Sequence, residues 1–296
     1  MRLTANGLAL EVEDAGPRGA PPLLLVMGLG MQLVGWPDDF VALLLERGLR
    51  VIRFDNRDAG LSEGFDHLGV PSIRGAALRH LLGLRVRSPY GVRDMAADTL
   101  GVMDALGLPQ AHVCGASLGG MISQHLAAAN PARVASLTLM MTASGSRRLP
   151  GPTLRARRAL LSRPASLEMD ALIDHSLGVL SVIGSPAFRA DPAQARRRAA
   201  AGLQRAFRPD GTVRQLLAIA ADDDRSALLA RIRAPTAVIH GVADPLIPVA
   251  NGRDLVRRIA GATGDFIDGM GHDLPRELLP RFADSIAANA RRARGS

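Results

Sequence analysis

The 296-residue sequence predicts an α/β protein: a mostly parallel central sheet flanked by helices, interrupted by one all-helical insertion. Three observations carry that expectation. Short apolar runs of four to seven residues alternate with segments of helical periodicity, the rhythm of strand–helix–strand crossovers in a parallel sheet. That rhythm stops near Ala143, gives way to Arg- and Ala-rich helical segments broken by prolines, and resumes only at Thr236. A hydrophobic content of 47% in a chain of this length is enough for one large core.

The elements follow in order. Leu3 to Ala5 and Leu8 to Glu13 flank Asn6-Gly7, a dipeptide that favours a type I′ turn, so the chain opens as an antiparallel hairpin. Pro22 to Met27 is a buried strand ending in Gly28-Leu29-Gly30, Asp38 to Arg47 a helix stopped by Gly48, and Val51 to Asp55 the next strand. Glu63 to Pro89 reads as an excursion over the sheet edge, with a helix-like middle from Ile73 to Leu84. Asp94 to Leu106 is amphipathic and ends at Gly107. A strand at Ala111 to Gly115, a helix at Gly119 to Asn130 and a strand at Val134 to Met141 complete the first part. After the insertion come a strand at Thr236 to His240, a helix at Asn251 to Ile259, a strand at Asp265 to Asp268 and a helix from Pro275 to Ala288. The expected organisation is a core of residues 1–142 and 222–296 with a helical cap at 143–221.

Charge and cysteine content narrow the function. All 36 basic residues are arginines against 28 acidic ones, giving a net charge of +8, which invites nucleic-acid binding. Aromatics make up only 3%, and the Arg pairs at 147–148, 157–158, 257–258 and 291–292 are scattered, so no nucleic-acid partner is expected. One cysteine, Cys114, permits no intrachain disulfide and suits a reducing compartment, and the first residues lack the layout of a signal peptide. The expected location is the cytoplasm. No apolar run approaches the roughly 20 residues that span a bilayer. Nothing in the sequence indicates an oligomeric state.

In an open parallel sheet the ligand site lies at the carboxyl ends of the strands, so the residues there are the candidates for chemistry. Gly115-Ala-Ser117-Leu-Gly119 lies between a strand and a helix and matches G-x-S-x-G, the turn that lifts a serine hydroxyl toward a substrate. Taken alone, Ser117 could merely cap the helix. A serine needs a histidine held by a carboxylate, and two later strand ends supply them. Asp244 stands in a tight turn after His240, and His272 in a glycine-flanked loop after the next strand, giving the chain order Ser, Asp, His. Among the other histidines (67, 80, 112, 125, 175 and 240), His240 is the nearest rival, better placed to brace the Asp244 turn than to act as a base. The earlier strand end, Met140 to Ser144, offers no rival carboxylate. An oxyanion needs two backbone donors: Leu118, following the serine, and Leu29, in the loop after the first core strand.

Gly28-Leu29-Gly30 followed by Asp55 imitates a dinucleotide-binding unit, but the third glycine position is Leu33. With no lysine there is no P-loop, and no H-E-x-x-H or cysteine cluster is present, so neither a metal nor a cofactor is expected.

Taken together, Met27 to Gly30, Asp55-Asn-Arg-Asp-Ala-Gly-Leu-Ser62, Gly115 to Gly120, His240 to Asp244 and Gly271-His272 make the chain resemble the α/β-hydrolase family over almost its whole length. Within it the chain is similar to bacterial carboxylesterases and the aclacinomycin methylesterase-like branch. The resemblance implies an α/β-hydrolase fold with a helical cap over an apolar pocket. It also implies acylation of Ser117, release of an alcohol and hydrolysis of the acyl-enzyme, with no cofactor. Met27 stands where a histidine is common, which implies a more apolar pocket and a greasy acyl or polycyclic small-molecule ester. Lactonase, thioesterase and cofactor-free perhydrolase chemistry use the same triad and stand as alternatives. A non-catalytic small-molecule receptor on the same fold is a more distant one.

Overall fold

A computed structural model describes residues 1–222 and 224–293; positions 223 and 294–296 of the expected core segment lie outside the described residues. The chain opens with β1 (Arg2–Ala5) and β2 (Leu8–Ala15), paired antiparallel across Asn6 and Gly7, whose φ angles of 50° and 76° are those of a type I′ turn. Next come β3 (Pro22–Val26), α1 (Asp38–Glu46), β4 (Arg50–Phe54), α2 (Ile73–Leu81), α3 (Val92–Ala105), β5 (Ala111–Ala116), α4 (Leu118–Ala129) and β6 (Val134–Met140). The insertion holds α5 (Leu154–Leu160), α6 (Met169–Ile183), α7 (Pro192–Arg205) and α8 (Pro209–Ala221). A short α9 (Ser226–Leu229) leads back to β7 (Thr236–Gly241), α10 (Ala250–Arg258), β8 (Thr263–Ile267) and α11 (Leu279–Arg292).

The eight strands form one sheet in the order β1-β2-β4-β3-β5-β6-β7-β8. Strands β3 to β8 pair only in parallel with one another, so their carboxyl ends share one edge, while β2 runs antiparallel to β4. Each face is buried, as the unbroken apolar runs require. Under α3, α4 and α10 lie Val26, Ile52, Val113, Leu137 and Val238, and under α1 and α11 lie Leu25, Val51, Cys114, Met140 and Ile239. Alternate residues of the same strands thus serve opposite faces.

Several boundaries differ from the sequence expectation by one to four residues, those of the last helix and of β8 among them. The last helix begins at Leu279, not Pro275, and runs on to Arg292. Pro275 is extended and residues 276–278 form a single 3₁₀ turn, because a helix begun at 275 would need from Pro280 an N–H that it lacks. At its far end Asn289 is buried and donates through Nδ2 to Leu137 O at 2.9 Å, tying the final turn to β6. Strand β8 starts at Thr263, two residues early, because ladder pairing with Ala237 and Val238 carries it past its polar beginning.

Candidate active site

Ser117 stands between the last residue of β5 and the first of α4, with φ 54° and ψ −118°. A non-glycine residue with positive φ costs about 1–3 kcal/mol and persists only where its surroundings over-determine it. They do so here through close backbone packing. A Cβ on Gly119 would lie 2.0 Å from Val26 O, and one on Gly115 would lie 2.3 Å from Gly119 O. The Ser117 N–H donates to Met140 O at 3.0 Å, and its carbonyl accepts from Thr142 Oγ1 at 2.7 Å. The elbow is therefore clamped by β3 on one side and β6 on the other.

The structure brings Asp244 and His272 to this serine. His272 Nε2 lies 3.1 Å from Ser117 Oγ, and its Nδ1 lies 2.7 Å from Asp244 Oδ2. Asp244 is buried, and its Oδ1 accepts the backbone N–H groups of Leu246 and Ile247, both at 2.8 Å. The turn thereby fixes the carboxylate, and the carboxylate fixes the ring. Because Asp244 accepts at Nδ1, that nitrogen carries the proton and Nε2 is free to receive one from a hydroxyl.

His240 is fully buried, and burial holds its imidazole below the usual histidine range. Its Nε2 donates to Ile247 O at 2.7 Å and lies 3.6 Å from Asp244 Oδ2, so it braces the turn from beneath. Two other histidines are engaged elsewhere: His112 with Ser136 Oγ at 2.8 Å, and His125 with Asp222 at 3.0 Å. His80 belongs to α2, and its side chain lies outside the described part of the structure.

Leu118 opens α4, where the first N–H groups of a helix have no intrahelical acceptor. Leu29 lies in a loop pressed against the elbow, since a Cβ on Gly28 would stand 3.2 Å from Ser117 Cβ. This loop is pinned at several points. Met27 O accepts from Asn56 Nδ2 at 2.9 Å, Gly30 N–H donates to Gln215 Oε1 at 2.8 Å, and Leu33 N–H donates to Asp55 Oδ1 at 2.6 Å. Gly30 needs its φ of 66° to turn the chain there.

The segment Asp55 to Ser62 is the hub of this arrangement. Asp55 Oδ2 accepts from Leu61 N–H at 2.8 Å and from Arg205 of α7 at 2.7 Å. Arg57 makes a bidentate pair with Asp98 and lies over the rings of Phe65 and Tyr90. Arg214 of α8 makes a bidentate pair with Asp58 at 2.8 Å for both bonds, and each side chain is only 0–1% exposed. Burial pushes the Asp58 carboxyl up, but Arg214, the Phe65 N–H and the Tyr90 hydroxyl outweigh it and hold the group below the usual range. Gln215 Nε2 donates to Arg57 O at 2.7 Å, so one side chain of α8 bridges this hub and the Leu29 loop.

The inserted helices also reach the His272 loop. His272 N–H donates to Ile183 O at 2.7 Å, and Gly271 N–H to Ser185 Oγ at 2.8 Å. Ser185 Oγ in turn donates to Asp273 Oδ1 at 2.5 Å, and burial pushes the Asp273 carboxyl up. Gln215, Ser185 and Arg214, which no motif marks, hold the Leu29 loop, the His272 loop and the Asp55 to Ser62 segment. Asp55, read as part of a family motif, closes loops instead of facing a ligand.

Residues 21–275 match the α/β hydrolase fold family. The chain is 31% identical to rhodomycin D methylesterase DauP of Streptomyces sp. (strain C5), with 98% of each chain covered. It is 32% identical to rhodomycin D methylesterase DnrP of Streptomyces peucetius, again over 98% of each. Among solved structures it is similar to the enol-lactonase from Burkholderia xenovorans LB400, with a TM-score of 0.74 and 25% identity over 98% of this chain and 100% of that one.

Proposed function

The chain belongs to the α/β-hydrolase family, and from that premise we propose that Ser117 is its nucleophile, His272 its general base and Asp244 the carboxylate that orients the base. The protein is a carboxylic-ester hydrolase of the serine type, in keeping with its methylesterase relatives. The observation that carries the assignment is the unbroken chain from Asp244 Oδ2 through both ring nitrogens to Ser117 Oγ, at 2.7 and 3.1 Å.

The reaction follows from that geometry. His272 Nε2 takes the Ser117 proton as Oγ attacks the ester carbonyl, and Asp244 stabilises the imidazolium without being protonated. The carbonyl oxygen becomes an oxyanion held by the N–H groups of Leu118 and Leu29, each such donor being worth about 3 kcal/mol. Collapse expels the alkoxide, which takes the proton from Nε2. Water then attacks the acyl-Ser117 ester with His272 again as base, releasing the acid and restoring Oγ–H. No cofactor enters these steps.

We assign residues 143–221 to a cap over this site and an apolar small-molecule ester as its substrate, supported by the inserted residues that hold the His272 and Leu29 loops; Met27 itself packs in the core beneath α1 and α11. The single cysteine favours a cytoplasmic location. Among the described residues no helix is long and apolar enough to cross a membrane. A second reading, lactone opening, is favoured by the similarity to an enol-lactonase and needs only that leaving group and acid remain one molecule.

A panel of methyl esters, lactones and thioesters, read with Ser117→Ala and with a fluorophosphonate probe, tests the assignment. Turnover of methyl esters should fall by about 10⁴-fold or more in the variant, with the probe attached at Ser117 in the native protein only. Undiminished turnover in Ser117→Ala, or an unlabelled native serine, refutes it, and preferential lactone turnover selects the second reading.

A further inference from the structure

Although arginine pairs recur along the whole chain, most of the excess of basic over acidic residues falls in one segment. Between residues 147 and 163 stand six arginines (147, 148, 155, 157, 158 and 163) and no acidic residue, while the rest of the chain holds 30 basic and 28 acidic residues. All six are exposed, and none has an ion-pair partner among the described residues. Many of the other arginines, such as Arg50, Arg57, Arg214 and Arg258, are paired with carboxylates. In α5 the buried Ala156 faces the protein, and Leu154, Arg157, Arg158 and Leu161 occupy i, i+3, i+4 and i+7, one exposed face of alternating apolar and cationic groups.

A second pattern coincides with this one. Apart from Met1, every exposed large apolar side chain among the described residues lies in a segment leaving the carboxyl end of β3, β4, β6 or β7. Met31, Leu78, Leu154, Leu167 and Phe207 are examples, with Leu154 and Leu167 exposed by 71% and 77%. The helices of these segments pack together, α2 on α8 and α5 on α6, so the residues share one pole of the molecule. The proposed site adjoins that pole: Thr153 N–H donates to Pro245 O at 2.9 Å, one residue from Asp244, and Pro150 O accepts from Asn251.

We propose that this pole docks on an anionic lipid bilayer, the six arginines meeting lipid phosphates and the interspersed leucines entering the acyl boundary. A bilayer fits better than an acidic protein. The exposed apolar side chains are spread over several segments, with arginines among them in α5, and a fluid surface accepts each of them separately. Guanidinium binds phosphate through two parallel bonds. Docked in this way, the enzyme takes an apolar ester from the membrane in which such a molecule partitions.

Flotation of the full chain with vesicles tests the proposal without any turnover, so its failure is independent of the assigned reaction. Vesicles of phosphatidylglycerol and phosphatidylcholine in equal parts should carry the protein at about 0.1 M salt, and pure phosphatidylcholine should not. Replacing the six arginines by Gln should weaken binding at least tenfold. Leu154→Ser, Leu161→Ser and Leu167→Ser together should weaken it about threefold or more. A control replacing six other exposed arginines (Arg2, Arg18, Arg231, Arg233, Arg257 and Arg291) by Gln should bind within about twofold of the native protein. The milder pair Arg157→Gln and Arg158→Gln gives the same direction should the sixfold variant misfold. Absence of native binding, equal loss in the control, or full binding by the serine variant each overturns the proposal, the last leaving only diffuse attraction to anions, acidic proteins included.

Discussion

The proposed nucleophile and its partners are held in place by different parts of the molecule. Ser117 is fixed by the sheet: its N–H donates to Met140 O, its carbonyl accepts from Thr142, and Gly119 rests against Val26 O. The loops carrying His272 and Leu29 are fixed by the insertion: Ile183 and Ser185 hold the first, Gln215 the second, and Arg205 and Arg214 anchor the hub behind it. The inserted helices are therefore part of the frame that holds the loops of the proposed base and the proposed oxyanion donor. A change at the elbow should lower the stability of the whole core, and a change at a tether should lower kcat in a protein that still folds.

The largest effect is expected at the elbow. Gly119→Ala would place a Cβ 2.0 Å from a backbone oxygen and 2.6 Å from the Val26 carbonyl carbon, and neither can step aside without opening β3. A loss of about 4 kcal/mol or more follows, at the upper end of single-site effects. Urea unfolding followed by far-UV circular dichroism should show it, and a midpoint within error of the native one would mean that β3 does not clamp the elbow.

Next in size is the ion pair between hub and insertion. Arg214→Met leaves Asp58 buried with only the Tyr90 hydroxyl and the Phe65 N–H, an uncompensated charge worth about 3 kcal/mol or more. Adding Asp58→Asn should recover part of that loss, because the penalty comes from the orphaned carboxylate. Limited proteolysis should cut Arg214→Met first between 143 and 221. Cleavage first within the core instead would show that the pair holds the sheet and not the insertion.

How much of this can be seen in sequence depends on the range of the constraint. The hairpin is legible because Asn6-Gly7 encodes its own φ angles, and the strands because apolar runs reflect burial on both faces. Ser117, Asp244 and His272 can be nominated because each sits in a short pattern at a strand end. The tethers cannot. Gln215 meets Gly30 across 185 residues and Ser185 meets Gly271 across 86, and each is an ordinary polar residue whose partner is a backbone N–H of no particular sequence. Only packing of the insertion selects them. The misplaced start of α11 has a related cause, since apolar periodicity extends through residues 275–278 and the missing Pro280 N–H decides the boundary.

Gln215→Met tests a tether directly, removing an acceptor from Gly30 and a donor from Arg57 while keeping the volume. Stability should fall by about 1–3 kcal/mol. The kcat should fall about tenfold with KM within about twofold, because in the proposed reaction the Leu29 donor acts on the oxyanion and not on the ground-state carbonyl. Affinity for a trifluoromethyl ketone, whose adduct carries the oxyanion, should fall by the same factor. A change confined to KM would place Gln215 in substrate binding instead.

The smallest effect is expected at His240, which braces the Asp244 turn from the sheet side. Burial lowers its pKa from 6.5, while the unfolded chain takes up a proton near that value. The unfolded state thus binds more protons below pH 6.5, and stability falls as the pH drops from 6.5 toward the folded pKa. Above pH 6.5 the contribution is fully present. His240→Gln keeps a donor for Ile247 O and removes the titration, so its stability should vary less with pH between 6.5 and 5, by at most about 1.4 kcal/mol per pH unit. Urea midpoints measured across that window give the slope. If native protein and variant run parallel there, the imidazole takes up its proton at least as readily in the fold as in the unfolded chain, and at pH 5 the turn that carries Asp244 is braced by a cation beside a carboxylate 3.6 Å away, not by a neutral ring.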